Sequence, residues 1–159
     1  MLPTERISNG NGTYQLEVHA QDREGNLTVL GSPTFTTNNA AAAKPFGTLD
    51  TPRNGEVISG AAYVVFGWAL TPQPAIIPTN GSTIVVYVDN MPLANPVYNQ
   101  FRPDIAGLFP NYQNSQGAVG YYYLNTTLLA NGLHSIAWSV TDNLGRVEGI
   151  GSRIFYVQN

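Results

Sequence analysis

The sequence contains no cysteine, and only 11% of its 159 residues are charged. Without cysteine, the chain can form neither a disulfide framework nor a thiolate zinc site, and it has no cysteine nucleophile. Seven Lys and Arg against ten Asp and Glu give a net charge of −3, so no basic surface for nucleic acid is expected. No apolar run is long enough to cross a bilayer, and we therefore expect no membrane insertion.

Histidine is nearly absent as well, and its scarcity limits the chemistry that the chain can perform. Only His19 and His134 are present, far apart in the sequence, whereas a serine triad needs a histidine beside a nucleophile and a carboxylate. Zinc usually needs about three clustered ligands. Nothing local indicates two carboxylates facing each other across a cleft, as glycoside hydrolysis requires. We predict structural or surface roles for both histidines and no enzymatic activity.

The aspartates leave calcium binding as an open alternative. They do not form an acidic cluster, and we expect them to cap turns, end strands and start a helix; they are Asp22, Asp50, Asp89, Asp104 and Asp142. Calcium held between domains by carboxylates and backbone carbonyls remains an alternative. Otherwise the sequence predicts no metal and no cofactor.

What the chain does have is asparagine and turn residues. It holds sixteen Asn, 16 Gly and 11 Pro but a single lysine, Lys44, which is unusual for the surface of a cytosolic domain. This composition favours an extracellular or cell-surface location, although no signal peptide is recognised at the N-terminus. Four glycosylation sequons are present, but the abundance of Asn, Ser and Thr and the turn preference of asparagine explain them better than glycosylation does; they begin at Asn11, Asn26, Asn80 and Asn125.

An internal repeat is the strongest signal in the sequence. Residues 11–39 align with residues 131–159 without a gap. Both copies alternate apolar and polar residues and then reach Asp-x-x-Gly, which predicts a strand, a tight turn and a second strand. The identical pairs are Asn11/Asn131, Gly12/Gly132, Asp22/Asp142, Gly25/Gly145, Gly31/Gly151, Ser32/Ser152, Phe35/Phe155 and Asn39/Asn159.

The repeat divides the chain into three parts. Residues 1–39 are predicted to be the C-terminal strands of a truncated preceding repeat, residues 40–45 a linker, and residues 46–159 one complete unit. Turn-bounded segments rich in β-branched and aromatic residues predict seven or eight strands in that unit, near 46–50, 56–58, 61–70, 82–90, 96–99, 118–127, 133–142 and 148–157. Residues 102–110 predict a short helix, which we expect to lie over one end of two packed antiparallel sheets.

Motifs along the complete unit resemble those of bacterial immunoglobulin-like repeats, which occur in tandem in large secreted or surface proteins, as in acidobacteria. They are the opening Phe46-Gly-Thr-Leu-Asp-Thr-Pro, Gly67-Trp-Ala-Leu-Thr-Pro, Val86-Tyr-Val-Asp, Arg102-Pro-Asp-Ile-Ala with Phe109-Pro, Asn131-Gly-x-His, and Gly151-Ser-Arg with Phe155 and Asn159. The resemblance implies an all-β, immunoglobulin-like antiparallel β-sandwich with one inserted helix, preceded here by a β-hairpin from the truncated repeat. It also implies a spacer or adhesive module.

Two functions remain open at this point. The first is a non-catalytic structural or adhesive module whose partners are other repeats of the same protein or like chains. This function includes self-association through strand pairing. The second is a carbohydrate-binding or accessory module of a secreted enzyme that binds surface polysaccharide or protein, because aromatic rings can stack on sugars. The candidates for sugar stacking are Tyr98, Tyr112 and Tyr122.

Overall fold

The computed structural model describes residues 12–37 and 43–159, and the chain divides into two compact units, 1–43 and 44–159. Both ends of the predicted segment 1–39 and the first half of the predicted linker 40–45 lie outside the described residues. Within the two described ranges, no helix combines the length and the apolar character needed to span a bilayer.

The first unit contains one antiparallel hairpin, divided by short irregular stretches into two ribbons. Its strands are β1 (Gly12–Gln15), β2 (Val18–Gln21), β3 (Leu27–Gly31) and β4 (Thr34–Thr37). β1 pairs with β4 and β2 pairs with β3, so the chain runs through β1 and β2, turns, and returns beside itself. The predicted hairpin is confirmed.

The second unit is a sandwich of two sheets with one short helix. Its elements are β5 (Phe46–Thr51), β6 (Glu56–Ile58), β7 (Tyr63–Leu70), β8 (Ile84–Val88), β9 (Met91–Pro92), β10 (Val97–Gln100), α1 (Pro103–Leu108), β11 (Val119–Leu124), β12 (Gly132–Thr141) and β13 (Val147–Val157). The strand order is β10-β11-β7-β5 in one sheet and β6-β13-β12-β8-β9 in the other. The predicted all-β sandwich is therefore confirmed.

One strand pair departs from the antiparallel prediction. β6 runs parallel to β13, with Glu56 opposite Phe155 and Ile58 opposite Val157, whereas the other strand pairs of the described residues are antiparallel. After β5 the chain thus leaves the four-stranded sheet and joins the edge of the five-stranded sheet. β6, near the start of the unit, thereby becomes the edge neighbour of β13, its last strand.

The main core lies between the sheets and follows the period-two alternation of the strands. Val65 and Ala69 of β7 face Ile136, Trp138 and Val140 of β12, and all five side chains are at most 1% exposed. Because successive residues point to opposite faces, the polar or half-buried residues between them lie on the outer faces of the sheets.

A second apolar cluster covers the outer face of the four-stranded sheet. Leu70 of β7 and Val119 of β11 pack there with Ile105 of α1, and these three side chains are buried. The rings of Phe46, Phe66, Trp68, Phe109 and Tyr112 surround them. The helix therefore lies on the outer face of this sheet, near the end at which β7 finishes and β11 begins. The apolar outer residues of β7 need a cover, and α1 supplies it.

A buried carboxylate fixes the β12–β13 turn. One oxygen of Asp142 accepts the backbone N–H groups of Leu144 and Arg146 at 3.0 and 3.1 Å. The other accepts the Arg146 Nε at 2.8 Å and the Thr71 hydroxyl at 2.9 Å. Burial alone would raise the pKa of Asp142, but these hydrogen bonds outweigh it and lower the pKa below its usual value. The turn is thus tied to the loop after β7.

We predict that Asp142→Ala lowers the free energy of unfolding of the second unit by about 3–5 kcal/mol, because the nearly buried Arg146 loses its counter-ion. Urea unfolding followed by tryptophan fluorescence measures this unit alone, since Trp68 and Trp138 both lie in it. Asp22→Ala is the matched control, because it removes the same turn contacts from the exposed hairpin of the first unit. Because this signal reports only the second unit, Asp22→Ala should leave it unchanged, and a loss of less than about 1 kcal/mol in Asp142→Ala would contradict the assigned role of Asp142.

Candidate functional site

The structure moves one predicted sugar-stacking residue into the core. Tyr98 is only 5% exposed, and its hydroxyl donates a hydrogen bond to the backbone oxygen of Ala69 at 2.7 Å. Burial also raises the pKa of its phenol. The prediction that Tyr98 stacks on a sugar is wrong, because β10 turns this ring inward and β11 and β7 cover it.

The other two predicted tyrosines are half-buried and lie in different clusters. Tyr112 belongs to the outer-face cluster, with its ring centroid 5.3 Å from that of Phe46 and 5.5 Å from that of Phe109. Tyr122 packs against the main core. The structure does not bring Tyr98, Tyr112 and Tyr122 together on one surface, and sugar stacking by Tyr112 or Tyr122 stays a prediction.

An exposed strip of tyrosines and valines lies instead on the outer face of the four-stranded sheet. Tyr123 is 57% exposed, and its ring centroid is 5.4 Å from that of Tyr121. Val64 lies opposite Tyr123 in β7, and Val97 lies opposite Tyr121 in β10. We call these four residues the outer tyrosine strip. Because strand residues alternate between two faces, Tyr122 shares the inner face with the buried Leu124, whereas Tyr121 and Tyr123 share the outer face. The sequence alternation therefore indicates which tyrosines lie together.

Arg102 holds the start of α1 against this sheet. Its guanidinium donates to Asp104 at 2.7 and 3.0 Å and also bonds Asp50 of β5. The same group lies 5.9 Å from the ring centroid of Phe66. The hydrogen bond from Arg102 lowers the pKa of Asp104. Asp50 and Asp104 are thus engaged in anchoring the helix.

His134 lies in a group that resembles a triad in composition but not in geometry. Its Nδ1 is 2.6 Å from Asp89 and its Nε2 is 2.8 Å from the backbone oxygen of Ala130. The Ser135 hydroxyl lies 3.3 Å from Asp89, not beside the imidazole. A triad needs the imidazole between the carboxylate and the hydroxyl. Both ring nitrogens here face acceptors, which suits a structural imidazolium.

The environment of His134 favours its charged form. The hydrogen bond to Asp89 raises the pKa of His134, and the Ala130 oxygen adds to this effect while burial opposes it. Burial by itself would raise the pKa of Asp89, but hydrogen bonds from His134 and Ser135 lower it. The His134 ring stacks on Phe155 with a centroid separation of 5.6 Å. This ion pair therefore joins the turn after β8 to the start of β12.

The aspartates and histidines do not gather into a metal site in the part of the chain that the structure describes. No group of three or more His, Cys, Asp or Glu there could hold an ion. Asp22 and Asp142 cap turns, as predicted for them, and Asp89 binds His134. Calcium between domains stays a prediction.

An open cleft of about 490 Å³ lies beside the proline-rich loop after β7. Its lining carries no charged group and includes the amides of Asn80, Gln113 and Asn114 beside Ile76, Ile77, Pro78 and Thr79. The loop is held in place by Asn143, whose side chain accepts the Ile76 N–H at 2.8 Å.

Comparison with known proteins gives a likeness of fold only. No family model matches the chain, and no curated protein matches it. Among solved structures, the fibronectin(III)-like modules of Clostridium thermocellum CbhA are 16% identical at a TM-score of 0.49, over 93% of this chain and 63% of that one. The endo-β-1,4-mannanase of Thermotoga petrophila is 13% identical at a TM-score of 0.50, over 77% of this chain and 22% of that one. The chain spans less than two thirds of either protein.

We predict that the urea midpoint of the second unit falls as the pH rises from about 6 through the raised pKa of His134. The folded state binds this proton more tightly than the unfolded chain does, so the stabilisation is complete below an unfolded pKa of about 6.5 and is lost above the folded pKa. Tryptophan fluorescence in urea, at pH values above about 5 where carboxylates stay ionised, measures the midpoint.

His134→Gln should remove most of this slope, whereas His19→Gln, in the first unit, should leave it unchanged. A slope that survives in His134→Gln would show that the pair with Asp89 does not carry the pH dependence.

Proposed function

We propose that the second unit is a non-catalytic, tension-bearing structural module of an extracellular or cell-surface protein built from repeats. The observation that carries this proposal is the parallel pairing of β6, near the start of the unit, with β13, at its end. Other repeats of the same protein are its proposed partners. The single lysine and the abundant asparagine support the extracellular location.

Parallel pairing determines how tension on the chain is resisted. A pull between the two ends of the unit draws β6 backwards and β13 forwards along nearly the same axis, because the strands run in the same direction. The bonds between them are then loaded together in shear rather than opened one by one. Bonds from the Gly55 N–H to the Ile154 oxygen, at 2.7 Å, and from the Gln158 N–H to the Ile58 oxygen, at 3.1 Å, close the two ends of this pair.

The C-terminal end is held by further hydrogen bonds. The Asn159 side chain accepts the Thr126 hydroxyl and donates to the Thr126 backbone oxygen, both at 2.7 Å. The Asn159 backbone N–H donates to the Asn131 side chain at 2.8 Å. Beneath this end Phe155 and Val157 are buried in the core. Such anchoring suits a module whose ends carry load.

The side chains also favour a role without catalysis. The one cluster that combines histidine, aspartate and serine in the described residues directs both imidazole nitrogens to acceptors, which leaves none to take a proton from Ser135. Adhesion to another surface is a further part of the proposal, and it would use the exposed outer faces of the sheets.

We predict that the unit unfolds at a several-fold higher force when it is pulled along β6 and β13 than when the β12–β13 hairpin is unzipped. The absence of cysteine allows unique attachment points. Lys44→Cys with Gln158→Cys applies shear, whereas Leu133→Cys with Gln158→Cys pulls apart two strands at the same end, since Leu133 lies opposite Tyr156. Single-molecule force spectroscopy measures both forces on the full chain.

The two variants are matched controls for each other, because they share one attachment point and the same fold. Urea unfolding should show equal stability in both, within about 1 kcal/mol, since all three replaced residues are exposed. Equal unfolding forces in the two pulling directions would contradict a tension-bearing role.

The outer tyrosine strip favours a second candidate function, carbohydrate binding in an accessory module of a secreted enzyme. Tyr123 presents 57% of its surface to solvent, and its neighbours Val64 and Val97 are 42% and 51% exposed. An exposed aromatic ring among apolar neighbours is a surface on which a sugar ring can stack.

If the strip binds polysaccharide, Tyr123→Ala should abolish co-sedimentation of the protein with an insoluble polysaccharide that the unchanged chain binds. Cellulose, xylan, mannan and chitin form the test panel. Tyr156→Ala is the matched control, because Tyr156 is 46% exposed on the other sheet. No binding to any member of the panel, or equal loss in both variants, would contradict this second candidate.

A further inference from the structure

The hairpin of the first unit repeats the β12–β13 hairpin pair by pair. When 120 is added to each residue number, seven of its eight strand pairs become pairs of β12 and β13. Tyr14 opposite Phe35, for example, becomes His134 opposite Phe155, and the two ring pairs have centroid separations of 5.9 and 5.6 Å. The first hairpin therefore has the register of the last two strands of a sandwich as well as their sequence pattern.

The turns of the two hairpins are built from the same hydrogen bonds. Asp22 accepts the N–H groups of Glu24 and Asn26 at 3.0 and 2.8 Å, as Asp142 accepts those of Leu144 and Arg146. The N–H of Gly25 donates to the Asp22 oxygen, as that of Gly145 donates to the Asp142 oxygen. Both glycines have positive φ, 89° and 76°. The two copies thus share the turn hydrogen bonds that set the register of their strands.

The inner face of the hairpin is covered in the second copy and partly exposed in the first. In the sandwich this face is at most 5% exposed; its residues are Ile136, Trp138, Val140, Ile150, Phe155 and Val157. The equivalent residues of the first hairpin are Leu16, Val18, Ala20, Leu30, Phe35 and Thr37. Of these, Leu16, Val18 and Leu30 are 44%, 45% and 67% exposed. Ala20 and Phe35 are half-buried and Thr37 is buried, so the face is exposed mainly at its aliphatic residues Leu16, Val18 and Leu30.

Over residues 12–37 and 43–159, the outer edges of the first hairpin pair with no further strand. In the sandwich, β8 pairs with the second edge of β12 and β6 pairs with the second edge of β13. Each strand of the first hairpin pairs with one other strand over the described ranges. Free backbone N–H and C=O groups at such edges accept a further strand.

We propose that this inner face and these edges bind strands equivalent to β5–β8 from another copy of the sandwich, which precedes Asn11 in the same polypeptide. This inference rests on the proposed function as a repeated module. In the second unit, the segment 44–130 supplies those strands and leads directly into Asn131, and the gapless repeat aligns Asn131 with Asn11.

A second copy of this chain does not fit the surface equally well. Its strands β6 and β8 already pair with its own β13 and β12, so it has no free edges of the kind that the first hairpin needs. A preceding copy that ends at the equivalent of residue 130 has these edges free. Val18 and Ala20 are smaller than Trp138 and Val140, so that copy is expected to carry bulkier side chains opposite them.

The test replaces residues 1–10 by a second copy of residues 44–130. The added segment then leads into Asn11 as the original segment leads into Asn131. Hydrogen exchange is compared between this extended chain and the 159-residue chain. Amides of β2 and β3 should exchange more slowly in the extended chain, on the order of a hundredfold, because opening then requires disruption of a complete core. Exchange in residues 131–159, which occur once in both chains, reports that the original sandwich remains folded.

Three further variants guard against a core that is too loosely filled and against non-specific collapse. Val18→Trp with Ala20→Val restores the side chains of the second copy and should increase the protection of the extended chain. Leu16→Asp, on the inner face, should abolish the protection. Leu27→Asp, at a 63% exposed outer position, should leave it intact.

No added protection in the extended chain, either with or without the two core replacements, overturns the proposal. It is also overturned if the 159-residue chain is itself a dimer by light scattering, with β2 and β3 already protected, because a second copy is then the occupant. Neither result affects the force measurement, which loads only the second unit, so failure of this inference and failure of the proposed function are distinguishable.

Discussion

The hydrogen bonds accepted by one buried carboxylate, that of Asp142, determine the arrangement of the five-stranded sheet. They close a tight turn, and the turn sets the register in which β12 faces β13. β8 and β6 can then add to the two free edges, which places Ile136, Trp138 and Phe155 between the sheets. Arg146 and Thr71 extend the same network to the loop after β7.

Most of the sandwich could be predicted because its strands carry a strong local signal. Alternating apolar residues mark β7, β8, β12 and β13, and Asp-x-x-Gly marks the turn between the last two. The parallel pairing of β6 had no such signal, since this strand has three residues and its partner lies about a hundred positions away. Likewise, Pro103, Asp104 and Ile105 predict a helix but do not indicate which sheet face needs covering.

The candidate surfaces were harder to predict than the fold. Composition alone groups the tyrosines of one stretch, but the pleat of β10 and β11 decides which rings meet solvent, and it buries Tyr98 while exposing Tyr123. His134 was expected to be structural, and its contact with Asp89 depends on a turn 45 residues away in sequence. Such contacts join distant elements and leave no local pattern.

The central claim is that residues 12–37 and 132–157 are two copies of one hairpin, and that in the described part of the chain only the second copy is built into a sandwich. Cross-strand nuclear Overhauser effects between backbone protons test it most directly. The account predicts a contact set for Thr13–Thr36, Tyr14–Phe35 and Gln15–Thr34 that matches the set for Leu133–Tyr156, His134–Phe155 and Ser135–Ile154. A different register in the first hairpin, or random-coil shifts throughout 12–37, would contradict it.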